Sequence, residues 1–212
     1  SRGLGDVYKR QFVSYIRQTL KRAMILTENK LKELTLAADV LSKAHRQTRF
    51  FSTGQQASIF LSHKHDEISQ LKRVAYILEE LHASIYVDWL DNSMPQKTSG
   101  TTAAIIKQQI QKYDKFILVA TNGAIDSKWC NWELGYGDAQ KFDLGKIALF
   151  PIAQNDNNWK GSEYMQIYPT IQYYSGTERY SNGNLIPRGY YYCYNDKDGN
   201  YCIKNLYDWI VS

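Results

Sequence analysis

Cysteine is scarce in this sequence, three in 212 residues, with no CxxC pair and no metal-finger spacing. That excludes a disulfide-dense scaffold and a zinc finger or ribbon. Only Cys193 and Cys202 stand where a hairpin would bring two thiols face to face. Long apolar runs are missing too: none approaches the roughly 18 residues of a membrane span. The start does not read as a secretory signal. These absences give the expectation of a soluble, cytoplasmic protein with no membrane partner. A broad basic field of the kind that grips nucleic acid is also lacking. The formal net charge is +5, yet residues 12–55 hold eight Lys/Arg against three Asp/Glu, and residues 56–212 are net negative. The surplus lies on one helical segment, whose plain reading is a solvated face and whose sharper alternative is an anion-binding surface. No nucleic-acid partner is expected.

What is present suits a single domain with additions. A chain of 212 residues with 43% hydrophobic content can bury a core without disulfides or metals. The first eleven residues, Ser1–Gln11, spell SRGLGDVYKRQ. That string is the conceptual translation of a common transposase-type sequencing adapter. It is expected to be a fused, non-native scar that takes no part in the fold. The natural start is then missing from this sequence.

From Phe12 to about Gln47 no Pro or Gly intervenes, and Val13, Ile16, Leu20, Met24, Thr27, Leu31, Leu34, Ala38 and Leu41 recur at spacings of three and four. This stripe predicts a helical extension over 12–55, either one long helix or two with a break near Thr27-Glu28-Asn29. It packs on its own domain or on a second copy. Short apolar runs then alternate with amphipathic stretches. Strands are expected at 57–61, 84–87, 116–120 and 147–150, with helices over 68–81, 103–110 and 129–142 between them. Such alternation predicts an α/β fold, a flavodoxin-like doubly wound parallel sheet covered on both faces. Ligands of these folds bind beyond the carboxyl ends of the strands. Three polar loops lie there: Ser62–Asp66, Asp88–Gly100 and Thr121–Ser127. The main domain is expected over 56–175. A Tyr-rich C-terminal unit over 176–212 should hold a β-hairpin around Asp196-Lys197-Asp198-Gly199 and a last helix docked by Leu206, Trp209 and Ile210.

The most specific string is Ser127-Lys128-Trp129-Cys130-Asn131-Trp132-Glu133-Leu134. Trp129 and Glu133 are four residues apart and share one helical face. Ser127 or Asp126 is suited to cap that helix. The string resembles the S-x-W-C-x-x-E-L motif of plant and bacterial TIR (Toll/interleukin-1 receptor) domains at all five fixed positions. Phe60-Leu61-Ser62-His63 resembles that family's first motif. Val87-Asp88-Trp89-Leu90-Asp91 through Met94-Pro95 and Gly100 resembles its second loop, without the glycine that often follows the proline. The resemblance covers roughly Ala57–Pro151.

TIR enzymes cleave NAD⁺ between nicotinamide and ribose, and the resemblance implies that activity here, with NAD⁺ as substrate and no cofactor. One carboxylate suffices for such chemistry. Nicotinamide departs as a neutral molecule, so no general acid is needed, unlike O-glycoside cleavage. A fixed carboxylate steadies the oxocarbenium-like ribose and accepts a proton from the attacking hydroxyl. The resemblance gives Glu133 that role. Ser62, His63 and Lys64 are candidates for ribose or phosphate contact, Asp88 for orienting the loop or a ribose hydroxyl, and Trp89 or Trp129 for stacking on nicotinamide or walling the site. His63 and His65 near Asp66 lack a clear third ligand, so no metal is expected. Gly135-Tyr136-Gly137 falls inside a helical stretch and is not a phosphate loop. The resemblance further implies bacterial anti-phage defence of the Thoeris type, homo-oligomers formed through the TIR domain and the N-terminal helix, and a separate effector that senses the nucleotide product. Two rival readings stay open: a non-catalytic adaptor acting by TIR–TIR assembly, and an enzyme similar to the nucleoside deoxyribosyltransferases.

Overall fold

The structure, a computed structural model, describes residues 25–36, 57–88, 99–155, 158–161 and 163–212. The adapter-like stretch 1–11, most of the 12–55 segment and Trp89 lie outside the described residues. An eight-stranded sheet carries the fold. Its elements in chain order are β1 (Leu26–Thr27), α1 (Glu28–Leu34), β2 (Ser58–Ser62), α2 (Ile68–Glu80), β3 (Ser84–Tyr86), α3 (Gly100–Lys112) and β4 (Lys115–Thr121). After these come α4 (Asn122–Ile125), α5 (Lys128–Lys141), β5 (Ile147–Ala153), a 3₁₀ turn (Glu163–Ile167), β6 (Thr170–Tyr174), β7 (Gly189–Asn195), β8 (Tyr201–Asn205) and α6 (Leu206–Ile210).

The strand order is β3-β2-β4-β5-β6-β7-β8, parallel as far as β6 and antiparallel beyond it. The first five strands of that order form the doubly wound, flavodoxin-like arrangement. The chain leaves β2 outward to β3 and returns to the other side of β2 as β4. The crevice outside the ends of β2 and β4 is therefore the topological switch point.

The central strands are apolar almost throughout because both their faces are covered. Side chains alternate between two cores, as the two-residue period of a strand demands. Ile59 and Leu61 of β2, Ile117 and Val119 of β4, and Ala148, Phe150 and Ile152 of β5 face the core shared with α1, α2 and α6. Phe60, Phe116, Leu118, Ile147 and Leu149 face the core under α3 and α5. On α2, Leu71, Val74, Ile77 and Leu78 are buried, while Ile68 is exposed.

The single-helix reading of this stretch needs correction: a break does fall at Thr27, and Leu26 and Thr27 form a strand paired in parallel with Ile152 and Ala153 of β5. β5 is matched to β4 along one edge, and its other edge meets β6 only at Leu149↔Thr170. The free upper half of that edge is where β1 adds. The Thr27 hydroxyl then accepts the backbone N–H of Lys30 at 3.1 Å and starts α1. Leu31 is wholly buried in the chain's own core, and Arg73 of α2 donates to the Thr35 hydroxyl at 2.8 Å. A strong helical stripe thus loses locally to an unpaired strand edge.

In the C-terminal part, Tyr174, Tyr191, Ile186 and Cys193 make a small third core. The hairpin turn is closed by Asp196, whose carboxylate accepts the backbone N–H groups of Asp198 and Asn200. Cys193 pairs with Ile203 and Cys202 with Tyr194, so the two thiols point to opposite faces, and both are free. The facing-thiol reading therefore fails by one register position. Leu206, Trp209 and Ile210 dock α6, with Trp209 stacked on Tyr192 at 4.6 Å and donating to the Gly145 carbonyl at 2.8 Å. The buried Lys115 ammonium sits 4.8 Å over the Trp209 ring and donates to the Ser212 carbonyl.

Two glycines of α5 make a contrast. A Cβ on Gly137 would lie 3.0 Å from the Phe116 ring, whereas one on Gly135 would meet nothing within 4 Å. Gly137 lets α5 approach the sheet closely; Gly135 has no such role. Gly135→Ala is expected to stabilise the fold by about 0.5–1 kcal/mol through helix propensity. Gly137→Val is expected to destabilise it by roughly 1–3 kcal/mol through overpacking. Urea unfolding of both variants checks this, and equal effects would refute the assignment.

Candidate functional site

Strand alternation carries Ser62, the last residue of β2, to the same side as Phe60, which is the side of α5. There it meets Glu133. Helix α5 starts at Ser127, whose hydroxyl accepts the Cys130 N–H at 3.3 Å, and Asp126 instead ends α4. Glu133 follows in the second turn. Its side chain is only 3% exposed, and the Ser62 hydroxyl donates to its Oε2 at 2.5 Å.

Burial pushes the Glu133 carboxyl up to about 8, and the negative charge of Asp88 adds to that rise. Hydrogen bonds from Ser62 and Trp129 oppose it. Burial thus favours the protonated carboxyl, and positive charge brought beside it would favour the carboxylate. Trp129 lies partly buried beside it and packs 5.0 Å from Trp132, which continues to Tyr136 at 6.4 Å. The Cys130 thiol is buried and pushed up to about 11 by that burial, which marks it as packing rather than as a nucleophile.

Asp88, just past β3, is 7% exposed, and its charge is felt at Glu133. His63 is 4% exposed, with Nδ1 3.8 Å from Asp88 Oδ1. Burial holds the His63 imidazole below its ordinary value, against the pull of Asp88. Its Nε2 has no hydrogen-bond partner among the described residues. Lys64 is turned elsewhere: its ammonium pairs with Asp66 at 2.5 Å. Ser62, Glu133, Trp129, Asp88 and His63 are thus brought together, Lys64 is engaged in a surface ion pair, and Trp89 lies outside the described residues.

Two neighbours escaped sequence reasoning. Glu67 accepts a hydrogen bond from the Thr121 hydroxyl at the end of β4, and burial raises its carboxyl above the ordinary range. Glu67 sits one residue past the polar loop marked by Ser62–Asp66, so its pattern was that of a helix start. Trp159 is the other. It donates to the Ala120 carbonyl at 2.6 Å, and Asn122 donates to the Asn158 carbonyl at 2.7 Å. These bonds hold the segment after β5 against the end of β4. Nothing in the local sequence signals them. His63, His65 and Asp88 bring three potential ligand atoms within 4.8 Å of one another, with Asp88 rather than the neighbouring Asp66 as third member. Among the described residues no helix is long and apolar enough to cross a membrane.

A neutral buried carboxyl makes stability depend on pH in a definite direction. The folded-state value of Glu133 lies above its unfolded value, ordinarily about 4.3. Both states bind the proton at low pH, and the unfolded state alone releases it as pH rises from about 4.3 towards 8. Wild type therefore loses stability over that window, by up to a few kcal/mol. Glu133→Gln has no proton to release. Its stability relative to wild type is expected to climb between pH 5 and pH 8 in denaturant titrations. Parallel curves would mean that the carboxyl is already ionised in the folded protein.

Comparison with known proteins yields three findings. A family profile described as TIR domain matches residues 59–182. A Bacillus cereus (strain MSX-D12) protein provisionally named 3' cyclic ADP-D-ribose synthase ThsB' is 28% identical over 139 residues, covering 64% of this chain and 69% of that protein. A Cytobacillus dafuensis protein provisionally named cyclic ADP-D-ribose synthase TIR2 is 30% identical over 101 residues, covering 46% of this chain and 25% of that protein.

Proposed function

From the premise that this chain belongs to the TIR-domain family, we propose that it is an NAD⁺-cleaving enzyme in which Glu133 acts on the nicotinamide ribose. The observation that carries the reading is a carboxyl 97% removed from solvent, beside the switch point of the sheet, held by Ser62 and raised to about 8. Structural carboxyls are rarely placed so. Its environment rewards one event: the arrival of positive charge.

NAD⁺ brings that charge. As the bond between ribose C1' and the nicotinamide nitrogen breaks, its electron pair goes to the departing neutral nicotinamide, and positive charge passes to the ribose. The ionised Glu133 stabilises that charge in a site sheltered from water. Water, or a hydroxyl within the same nucleotide, then forms the new bond to C1' and gives its proton to the carboxylate. Water yields ADP-ribose, and an internal hydroxyl yields a cyclic ADP-ribose. The names of the two relatives favour the cyclic product. Ser62 fixes the carboxylate, Trp129 stacks on nicotinamide or walls the site, His63 serves the ribose or phosphates, and Asp88 orients the loop or a ribose hydroxyl. Lys64 serves there only after leaving Asp66.

We assign the protein to bacterial defence in the cytoplasm, as a homo-oligomer whose nucleotide product is sensed by a separate effector. In this reading residues 12–55 form an N-terminal extension, 56–175 the TIR domain and 176–212 the appended hairpin and helix.

Incubation with NAD⁺, followed by chromatography against linear and cyclic standards, tests the reading. Wild type is expected to release nicotinamide, and Glu133→Ala to lower kcat by at least roughly 10²–10³-fold. Full turnover by Glu133→Ala would remove Glu133 from its role. Inertness of both proteins, even when concentrated, would favour the adaptor reading.

The pH profile gives a second test. In the free enzyme kcat/KM is expected to rise with pH, with its midpoint near 8, as Glu133 ionises. The rise in kcat should fall at lower pH, because bound cationic nicotinamide favours the carboxylate. A kcat/KM that is flat from pH 6 to 8 would contradict this.

A further inference from the structure

The chemistry above leaves His65 unused, although its ring faces that of His63 at 5.6 Å and the Asp88 carboxylate lies 3.8 Å from each. We propose that His63, His65 and Asp88 bind one divalent transition-metal ion of the zinc type at the carboxyl end of the sheet, and that this ion inhibits the enzyme.

The donor set argues for the class of ion. Two imidazoles and one carboxylate suit zinc and its neighbours, whereas calcium and magnesium take oxygen ligands. A site with three protein ligands leaves a fourth position open to solvent. The geometry is close to what such an ion needs. Asp88 presents Oδ1 3.8 Å from His63 Nδ1 and Oδ2 3.8 Å from His65 Nε2, and the three ligand atoms lie within 4.8 Å of one another. Metal bonds of about 2.0–2.1 Å require ligand atoms roughly 3.4 Å apart. The contraction needed is about 0.4 Å from each 3.8 Å separation and at most about 1.4 Å overall, and the exposed His65 side chain has room to supply it.

The setting of His63 supports the site. A histidine buried for packing alone would have both ring nitrogens satisfied. Here the buried Nε2 has no partner among the described residues, and Nδ1 stands 3.8 Å from Asp88 Oδ1, too far for a hydrogen bond but near enough to share an ion with it.

Inhibition follows from charge and rests on the NAD⁺-cleavage reading. The charge of Asp88 is felt at Glu133. A dication held on Asp88 acts at the same place, where substrate and transition state bring positive charge of their own. It also ties up His63 and Asp88, which that reading gives to the substrate.

The test titrates zinc by calorimetry, and cobalt(II) by visible absorption, into the full chain and two variants. Wild type is expected to bind one ion. His65→Ala should bind at least tenfold more weakly, and His82→Ala, which alters an exposed histidine at the far end of α2, should match wild type. NAD⁺ turnover of wild type should fall as the site fills. His65→Ala should keep basal turnover and need at least tenfold more zinc for the same loss. His65→Gln, which retains side-chain bulk, guards against misfolding. No saturable binding, or equal binding by wild type and both His65 variants, overturns the site. Zinc bound through His65 with turnover unchanged overturns the inhibition. A chain that binds zinc as expected but leaves NAD⁺ intact supports the site and instead defeats the catalytic reading.

Discussion

The bond between the Ser62 hydroxyl and the Glu133 carboxyl is the contact on which the site depends. A carboxyl hidden from water is costly unless it keeps its proton or finds donors. Here burial favours the proton, and hydrogen bonds from Ser62 and Trp129 direct the oxygens. That arrangement requires β2 to end at the right residue. A shift of one position would turn Ser62 to the α2 side and leave the carboxyl without its donor. The two cores on either side of the sheet fix the register. Ile59 and Leu61 are committed to one and Phe60 to the other.

The same logic explains why α5 lies where it does. Its capping serine, its close approach through Gly137 and its buried Leu134 hold it against the α5 face of the sheet. Glu133 is therefore positioned by packing on both sides rather than by a loop. Rigid elements hold a reacting group more closely than loops do. Of the loop residues around it, His63 and Asp88 are buried with it, whereas Lys64 turns outward to Asp66.

Much of this was legible in the sequence. Fully buried strands such as Phe116–Ala120 read as apolar runs, and the motif from Ser127 to Leu134 placed Glu133 on a capped helix. What could not be read was decided by distant partners. The strand at Leu26–Thr27 exists because β6 leaves part of β5 unpaired, which no local window reveals. Thr121 and Glu67 are 54 residues apart in the chain, and Trp159 reaches back 39 residues to Ala120. The third neighbour of the two histidines was sought nearby at Asp66, whereas the sheet delivers Asp88 from the next strand. The facing of Cys193 and Cys202 turned on one step of hairpin register.

The short strand β1 has a practical consequence for any attempt to dissect the molecule. It covers the backbone of Ile152 and Ala153, and the helix behind it fills the core with Leu31. A chain trimmed to begin at Ala57, which the limits of the family match would invite, strips both away. It would bare an apolar strand edge next to a cavity, and bare edges recruit other strands. Clustering seen with such a piece would then report sticky, exposed backbone, not the way intact copies meet.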